Sequence, residues 1–236
     1  MTTAADWVVL DIEGTLTATS QVHVVLYDHA RPRLGPWIEE HADDPTVADA
    51  VTQARTLGGL PPTAGTDEVV GVLHAWMAAD EKVTPLKTLQ GLIWQRGYAT
   101  GELVTELFDD VAAALRAWHT SGLQLAVYSS GSVAAQVASF SRTTDGDLTG
   151  LLRAHFDTVN AGPKRSGSSY RAIAAALDAD PVRMVFLSDA PAELDAAAEA
   201  GWRTVGVARP GEPYCDANFG PHGTVCSLAE FAVVPT

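Results

Sequence analysis

The chain has 236 residues, 47% of them hydrophobic, and a formal net charge of −14, which is enough apolar material for a sizeable core. A surface this acidic argues against nucleic acid as a partner, because phosphate backbones are held by an excess of lysine and arginine. An anionic substrate would need a local cation to overcome the same field.

The opening "MTTAADW" has neither the basic start nor the apolar stretch of a signal peptide. No run approaches the roughly 18 uninterrupted apolar residues of a membrane span, so a soluble cytoplasmic protein is expected, with no membrane partner. The first strand is expected at "WVVL" (7–10), and it runs into Asp11-Ile12-Glu13-Gly14-Thr15. Residues 19–105 then read as helices: "SQVHVVLYDHARPRLGPWIEEHA", "DPTVADAVTQARTLGG", "DEVVGVLHAWMAADE" and "TPLKTLQGLIWQRGY". Breaks at Pro32, Gly35-Pro36, Gly58-Gly59 and Pro61-Pro62 punctuate them.

Further strands are expected at "LQLAVYS" (123–129), "FDTV" (156–159), "RMVFLS" (183–188) and "RTVGVA" (203–208). The Ala-rich segments "VAAQVASF", "SSYRAIAAAL" and "PAELDAAAEAG" between them have helical spacing. Strand and helix in alternation imply an α/β fold, with a Rossmann-like parallel sheet covered on both faces. A single crossover does not need the whole stretch from Leu10 to Leu123. We therefore expect a core of residues 1–18 and 106–236, with a helical cap of residues 19–105 inserted after the first strand. The C-terminal segment suggests one short helix near Leu228. Cys215 and Cys226 match neither a disulfide framework nor a metal-binding spacing and are expected to be free thiols.

In an open parallel sheet, ligands bind where strands end and helices begin. The residues at those points are Asp11 and Glu13, then Ser129-Ser130-Gly131, then Lys164, then Ser188-Asp189 with Glu193 beyond. Carboxylates, hydroxyls and one ammonium at a single edge suit a phosphoryl group and a divalent cation. Asp11 can attack phosphorus, splitting one displacement into two. Glu13 can protonate the leaving oxygen and then activate water. Asp189 is the natural second metal ligand. Ser129 and Ser130, with N–H groups opening a helix at Gly131, offer donors to phosphate oxygens. Lys164 supplies a point charge.

The order Asp-x-Glu-Gly-Thr, Ser, Lys and Asp-x-x-x-Glu resembles the haloacid dehalogenase superfamily. More narrowly, the chain is similar to the enolase-phosphatase E1 family of methionine salvage. That likeness rests on "DIEGT" (11–15), "LKTLQGLIWQRGY" (86–98), "YSSGSVAAQ" (128–136), "HFDT" (155–158), "KRSGSSYRAI" (164–173), "FLSDAPAELDAA" (186–197) and "ARPG" (208–211). It implies an enzyme that uses Mg²⁺ and acts on 2,3-diketo-5-methylthiopentyl-1-phosphate. Such an enzyme enolises this small phosphate ester and hydrolyses it to 1,2-dihydroxy-3-keto-5-methylthiopentene. It further implies Asp11 and Asp189 as metal ligands, with Glu13 contributing its backbone carbonyl, and Ser129, Ser130 and Lys164 as substrate contacts. The base for enolisation stays open between Glu13 and Lys87. Departures from the family pattern at residues 16–23, 166–167 and Glu212 leave a related phosphorylated ketone as the alternative substrate. A monomer is expected in preference to an oligomer.

Overall fold

Strands buried on both faces read as unbroken apolar runs, because neither side of the pleat meets water. A computed structural model, which describes residues 1–81 and 83–236, places six strands in one parallel sheet, the inner ones of this kind. The strands are β2 (Trp7–Leu10), β3 (Gln124–Tyr128), β4 (Leu152–Phe156), β5 (Met184–Ser188), β6 (Arg203–Val207) and β7 (Gly223–Val225). Their order is β4-β3-β2-β5-β6-β7. Strand β2 lies between β3 and β5, with Leu10 in register with both Val127 and Leu187. Two short strands, β1 (Thr2–Ala4) and β8 (Ala232–Val234), pair in parallel beside it.

The chain divides into two compact units, residues 1–21 with 104–236, and residues 22–103. In the first unit, alternate residues of β2 feed opposite cores. Val8 and Leu10 join Leu115, Trp118, Val127 and Leu187 on one face. Val9 joins Tyr128, Tyr170, Ile173, Phe186 and Leu194 on the other. The covering helices are α6 (Val111–Thr120) and α7 (Val133–Ser141) on the first face, and α8 (Gly167–Ala176) and α9 (Pro191–Glu199) on the second.

The second unit is wholly helical, with α1 (Tyr27–Ala30), α2 (Leu34–Glu40), α3 (Pro45–Leu57), α4 (Thr66–Ala78) and α5 (Thr84–Thr100). Its core is built on Leu34, Ile38, Val47, Leu73, Leu89 and Ile93. Helix α3 starts where expected because the Asp44 carboxylate accepts the Thr46 N–H at 2.7 Å and Pro45 follows at once. A π-helical turn, Gln21–Leu26, runs directly into α1, and the helical path continues through Pro32 as a 3₁₀ turn, Arg31–Arg33. Pro32 and Gly35-Pro36 therefore do not break the path as expected, the latter pair lying in the first turn of α2.

Two expectations are corrected. The third strand of the sequence reading is Leu152–Phe156, not 156–159. Asp157 begins a turn instead, because its side chain accepts the N–H groups of Val159 and Asn160 at 2.8 and 2.9 Å. The C-terminal segment holds a 3₁₀ turn at Leu228–Glu230, as expected, but also β7 and β8, which were not anticipated. Both cysteines are free. Among the described residues, no helix is long and apolar enough to cross a membrane.

Candidate active site

The Asp11 N–H donates to the Leu187 carbonyl at 2.9 Å, extending the sheet ladder one residue past β2. The carboxylate is thus carried on rigid backbone and is almost fully buried. The chain then folds back on itself. The N–H groups of Leu16 and Thr17 reach the Ile12 carbonyl at 2.8 and 3.0 Å, and the Gly14 N–H reaches Thr17 at 2.8 Å. Gly14 has φ +73°, and a Cβ there would lie 2.1 Å from Asp189 Oδ2. Glycine is needed both for the turn and for the close approach of that carboxylate. The buried Thr15 hydroxyl accepts the Asp189 N–H at 3.0 Å, tying the end of β5 to this loop.

Lys164 arrives on a loop held by its own carbonyls. Tyr128, Ser169 and Tyr170 donate their hydroxyls to the carbonyls of Gly162, Pro163 and Lys164 at 2.7, 2.8 and 2.8 Å. The Lys164 Nζ then sits 2.6 Å from Asp11 Oδ1 and 2.6 Å from Glu193 Oε2. The Ser188 Oγ lies 3.3 Å from Asp11 Oδ2 and 3.0 Å from Glu193 Oε2, joining the same two acids from the other side. Its single proton can serve only one of them at a time.

Negative charge exceeds positive here, since Asp11, Glu13, Asp189 and Glu193 face the one ammonium. Burial, then the nearby charges of Asp11 and Glu193, pushes the Asp189 carboxyl up to about 8. Burial and Asp11 likewise raise Glu193, against the opposing pull of Lys164 and Ser188. Burial opposes the charge on Lys164, but Asp11 and Glu193 outweigh it and hold the ammonium above its ordinary pKa.

Ser129 lies one residue beyond β3, with its N–H on the Phe156 carbonyl at 3.1 Å. The donors opening α7 are largely taken, which departs from the sequence expectation. The Gly131 N–H meets Ser129 Oγ at 3.3 Å, the Val133 N–H meets Asp157 Oδ2 at 3.0 Å, and the Ala135 N–H meets Ser132 Oγ at 3.3 Å. Gln136 braces the loop from beneath, donating to the Gly131 and Phe156 carbonyls, each at 2.8 Å. With those N–H groups occupied, the backbone at the start of α7 offers a phosphate fewer donors than the sequence suggested.

Asp11, Lys164 and Asp189 therefore converge at one edge of the sheet, and Glu13 lies close enough for its charge to act on Asp189. Sequence reasoning gave no role to Ser188, Thr15 or Asp157, and quoted Glu193 without its lysine partner. The Asp-x-x-x-Glu spacing was the one signal for Glu193, since it places the second acid in the first turn of α9. In the other unit, Lys87 is half-buried on α5, and the Trp94 indole N–H is spent on the Leu26 carbonyl at 2.8 Å.

Residues 5–201 match the model of the haloacid dehalogenase-like hydrolases. The chain belongs to this family. Among its hydrolase relatives is an enolase-phosphatase E1 from Saccharopolyspora erythraea, 70% identical over 94% of this chain and 93% of the relative. Another, from Streptomyces avermitilis, is 54% identical over 97% and 95%. The chain thus falls within the enolase-phosphatase E1 branch of the hydrolases. The crystal structure of the Unknown transcript 4 protein of Saccharomyces cerevisiae superposes with a TM-score of 0.78 at 26% identity, covering 96% of this chain and 99% of the other. CbbY from Rhodobacter sphaeroides, in complex with xylulose-(1,5)bisphosphate, shares the fold with a TM-score of 0.60 at 20% identity, covering 97% of each chain.

Proposed function

We propose that this hydrolase is the enolase-phosphatase of methionine salvage, acting on 2,3-diketo-5-methylthiopentyl-1-phosphate with Mg²⁺. The observation that carries this reading is Asp11, fixed at a strand end and held by Lys164, in a chain 70% identical to a relative named enolase-phosphatase E1.

The residues fit a hard divalent cation. Burial, then the charges of Asp11 and Glu193, raises the Asp189 carboxyl to about 8, a cost that a bound cation would relieve. Two carboxylates and a loop carbonyl are the oxygen donors such an ion takes alongside water. When bound, the ion supplies charge neutralisation for the approach of two anions and polarises an oxygen of the substrate.

The protein's own groups account for the remaining steps. Asp11 attacks phosphorus, and the P–O bond to the enol breaks as the aspartyl phosphate forms. Glu13 gives its proton to the leaving oxygen, then takes one from the water that hydrolyses the aspartyl phosphate. Lys164 holds Asp11 aimed and balances the phosphoryl charge. Ser129 and Ser130 hold phosphate oxygens. Enolisation moves a proton from carbon before that displacement, with Glu13 and Lys87 as the candidate bases. Residues 22–103 are assigned as the cap that selects the substrate.

The test is a paired assay on the diketone phosphate, following the enol by ultraviolet absorbance and phosphate separately, with and without chelator. Both signals should appear with Mg²⁺ and vanish with chelator. Hydrolysis of generic phosphate esters with no enol formed would replace this reading with a phosphatase for another phosphorylated ketone.

A further inference from the structure

The motif Ala208-Arg209-Pro210-Gly211 has no part in the chemistry above, yet it carries a buried charge. Arg209 is 4% exposed. One guanidinium nitrogen, Nη1, meets both oxygens of Asp110 at 2.8 Å, and the Phe108 ring lies 4.5 Å away. The other two nitrogens, Nε and Nη2, both donate to the Thr15 carbonyl, at 3.1 and 3.0 Å. Asp110 is itself fixed by the Ser227 hydroxyl and the Leu228 N–H, each at 2.5 Å. A buried ion pair is a weak device for stability alone, because desolvation offsets its attraction. Here two of the three guanidinium nitrogens are spent on one carbonyl of the loop that follows the nucleophile.

The chain is held again just beyond Thr15. The Phe108 N–H donates to the Leu16 carbonyl at 3.0 Å, and Glu212 Oε2 accepts the Thr19 N–H at 2.8 Å. What the grip controls is visible at Thr15, whose hydroxyl receives the Asp189 N–H, and at Gly14, against which the Asp189 carboxylate packs. We infer that Arg209 is a positioning residue for phosphoryl transfer, setting the Asp11–Thr15 loop and, through it, the Asp189 carboxylate. This rests on the phosphatase reading of that edge, though not on the identity of the substrate.

The geometry makes a planar fork necessary. Lysine keeps the charge but cannot hold Asp110 and the Thr15 carbonyl together. The test compares wild type, Arg209→Lys and Arg209→Ala on para-nitrophenyl phosphate, alongside thermal melts and calorimetric titration with Mg²⁺ alone. Arg209→Lys is expected to remain folded while kcat falls about 100-fold, the cost of a small misplacement at a reacting centre. KM should change much less. Mg²⁺ affinity should fall by roughly 10-fold, as when a supporting group of a metal ligand is lost. Free guanidinium ion should restore part of the activity of Arg209→Ala, whereas methylammonium should not. Should Arg209→Ala fail to fold, Thr15→Val tests the same relay by removing the acceptor of the Asp189 N–H, with the same kcat and Mg²⁺ effects expected. Wild-type kcat and Mg²⁺ affinity in folded Arg209→Lys, or in Thr15→Val, would overturn the inference. A wild-type enzyme that hydrolyses the aryl phosphate but not the diketone phosphate would overturn the substrate assignment alone.

Discussion

At Gly14 the backbone conformation and the side-chain packing make the same demand. An alanine there would adopt φ +73° and place its methyl 2.1 Å from Asp189 Oδ2. The conformation alone costs about 1–2 kcal/mol for a residue with a Cβ, which lowers Tm by roughly 2–8 °C in a chain of this size. Displacing Asp189 should harm turnover beyond this. Gly14→Ala is therefore expected to lose about 100-fold or more in kcat at temperatures where melts show it folded. Steady-state kinetics beside a thermal scan would check this, and near-normal turnover would refute it. Asp11 and Asp189 were legible in the sequence because each directly follows an apolar run that forms a strand, whereas Lys164 comes from a loop well past the end of β4. The partners that aim them were not. Ser188, Thr15 and Arg209 act across the fold, Thr15 with Asp189 and Arg209 with Asp110, and no local spacing announces such contacts.

Among the elements, the start of α7 has the least obvious construction. Serines and a glycine before a helix suggested open N–H groups for an anion, but Asp157, from the end of β4, already fills part of that role. Its carboxylate takes N–H groups from Val133, Val159 and Asn160 and is buried. Leaving those donors unpaired costs about 1–3 kcal/mol, so Asp157→Ala should lower stability to denaturant by that order. It should also raise KM more than it lowers kcat, because the Ser129–Ser130 loop rests on this junction while Asp11 does not. Unchanged KM would show the loop to be held without it. This element also explains the misplaced strand. "FDTV" has the composition of a strand, but its aspartate bonds its own following backbone and turns the chain. The pairing segment "LRAHF" carries Arg153 and His155 because β4 is an edge strand with less to bury. Strands β2, β3, β5 and β6 were legible because their interior positions leave almost nothing exposed.

For the molecule as a whole, acidity and metal are linked. A buried carboxyl raised from 3.8 to about 8, as Asp189 is, keeps its proton in the folded chain where the unfolded chain has lost it. The folded state then binds more protons at Asp189 across that interval, so this group's contribution to the stability of the metal-free protein falls as pH rises from about 4 to 8. Glu193, raised for the same reasons, adds to the trend. His29 and His155, both lowered by burial, contribute in the opposite direction where they titrate. Mg²⁺ binds the deprotonated form, so it should stabilise more at pH 8 than at pH 5 and should release protons on binding. Denaturant melts at both pH values, with and without Mg²⁺, measure this. A stabilisation by Mg²⁺ no larger at pH 8 than at pH 5 would contradict it.

The strand order also has a consequence for biosynthesis. Strand β2 is made early, but Trp7 pairs with Gln124 and Met184, and the β1 residue Thr2 pairs with Ala232. During synthesis the carboxylate at the end of β2 emerges long before the lysine and the sheet partners that will shield it. The helical unit, 22–103, is contiguous and has all its own contacts available by Leu103. On the ribosome that unit can fold first, while the nucleophile's strand waits with an unpaired edge on either side. The interval before β3 and β5 emerge is when the edges of β2 are open to mispairing.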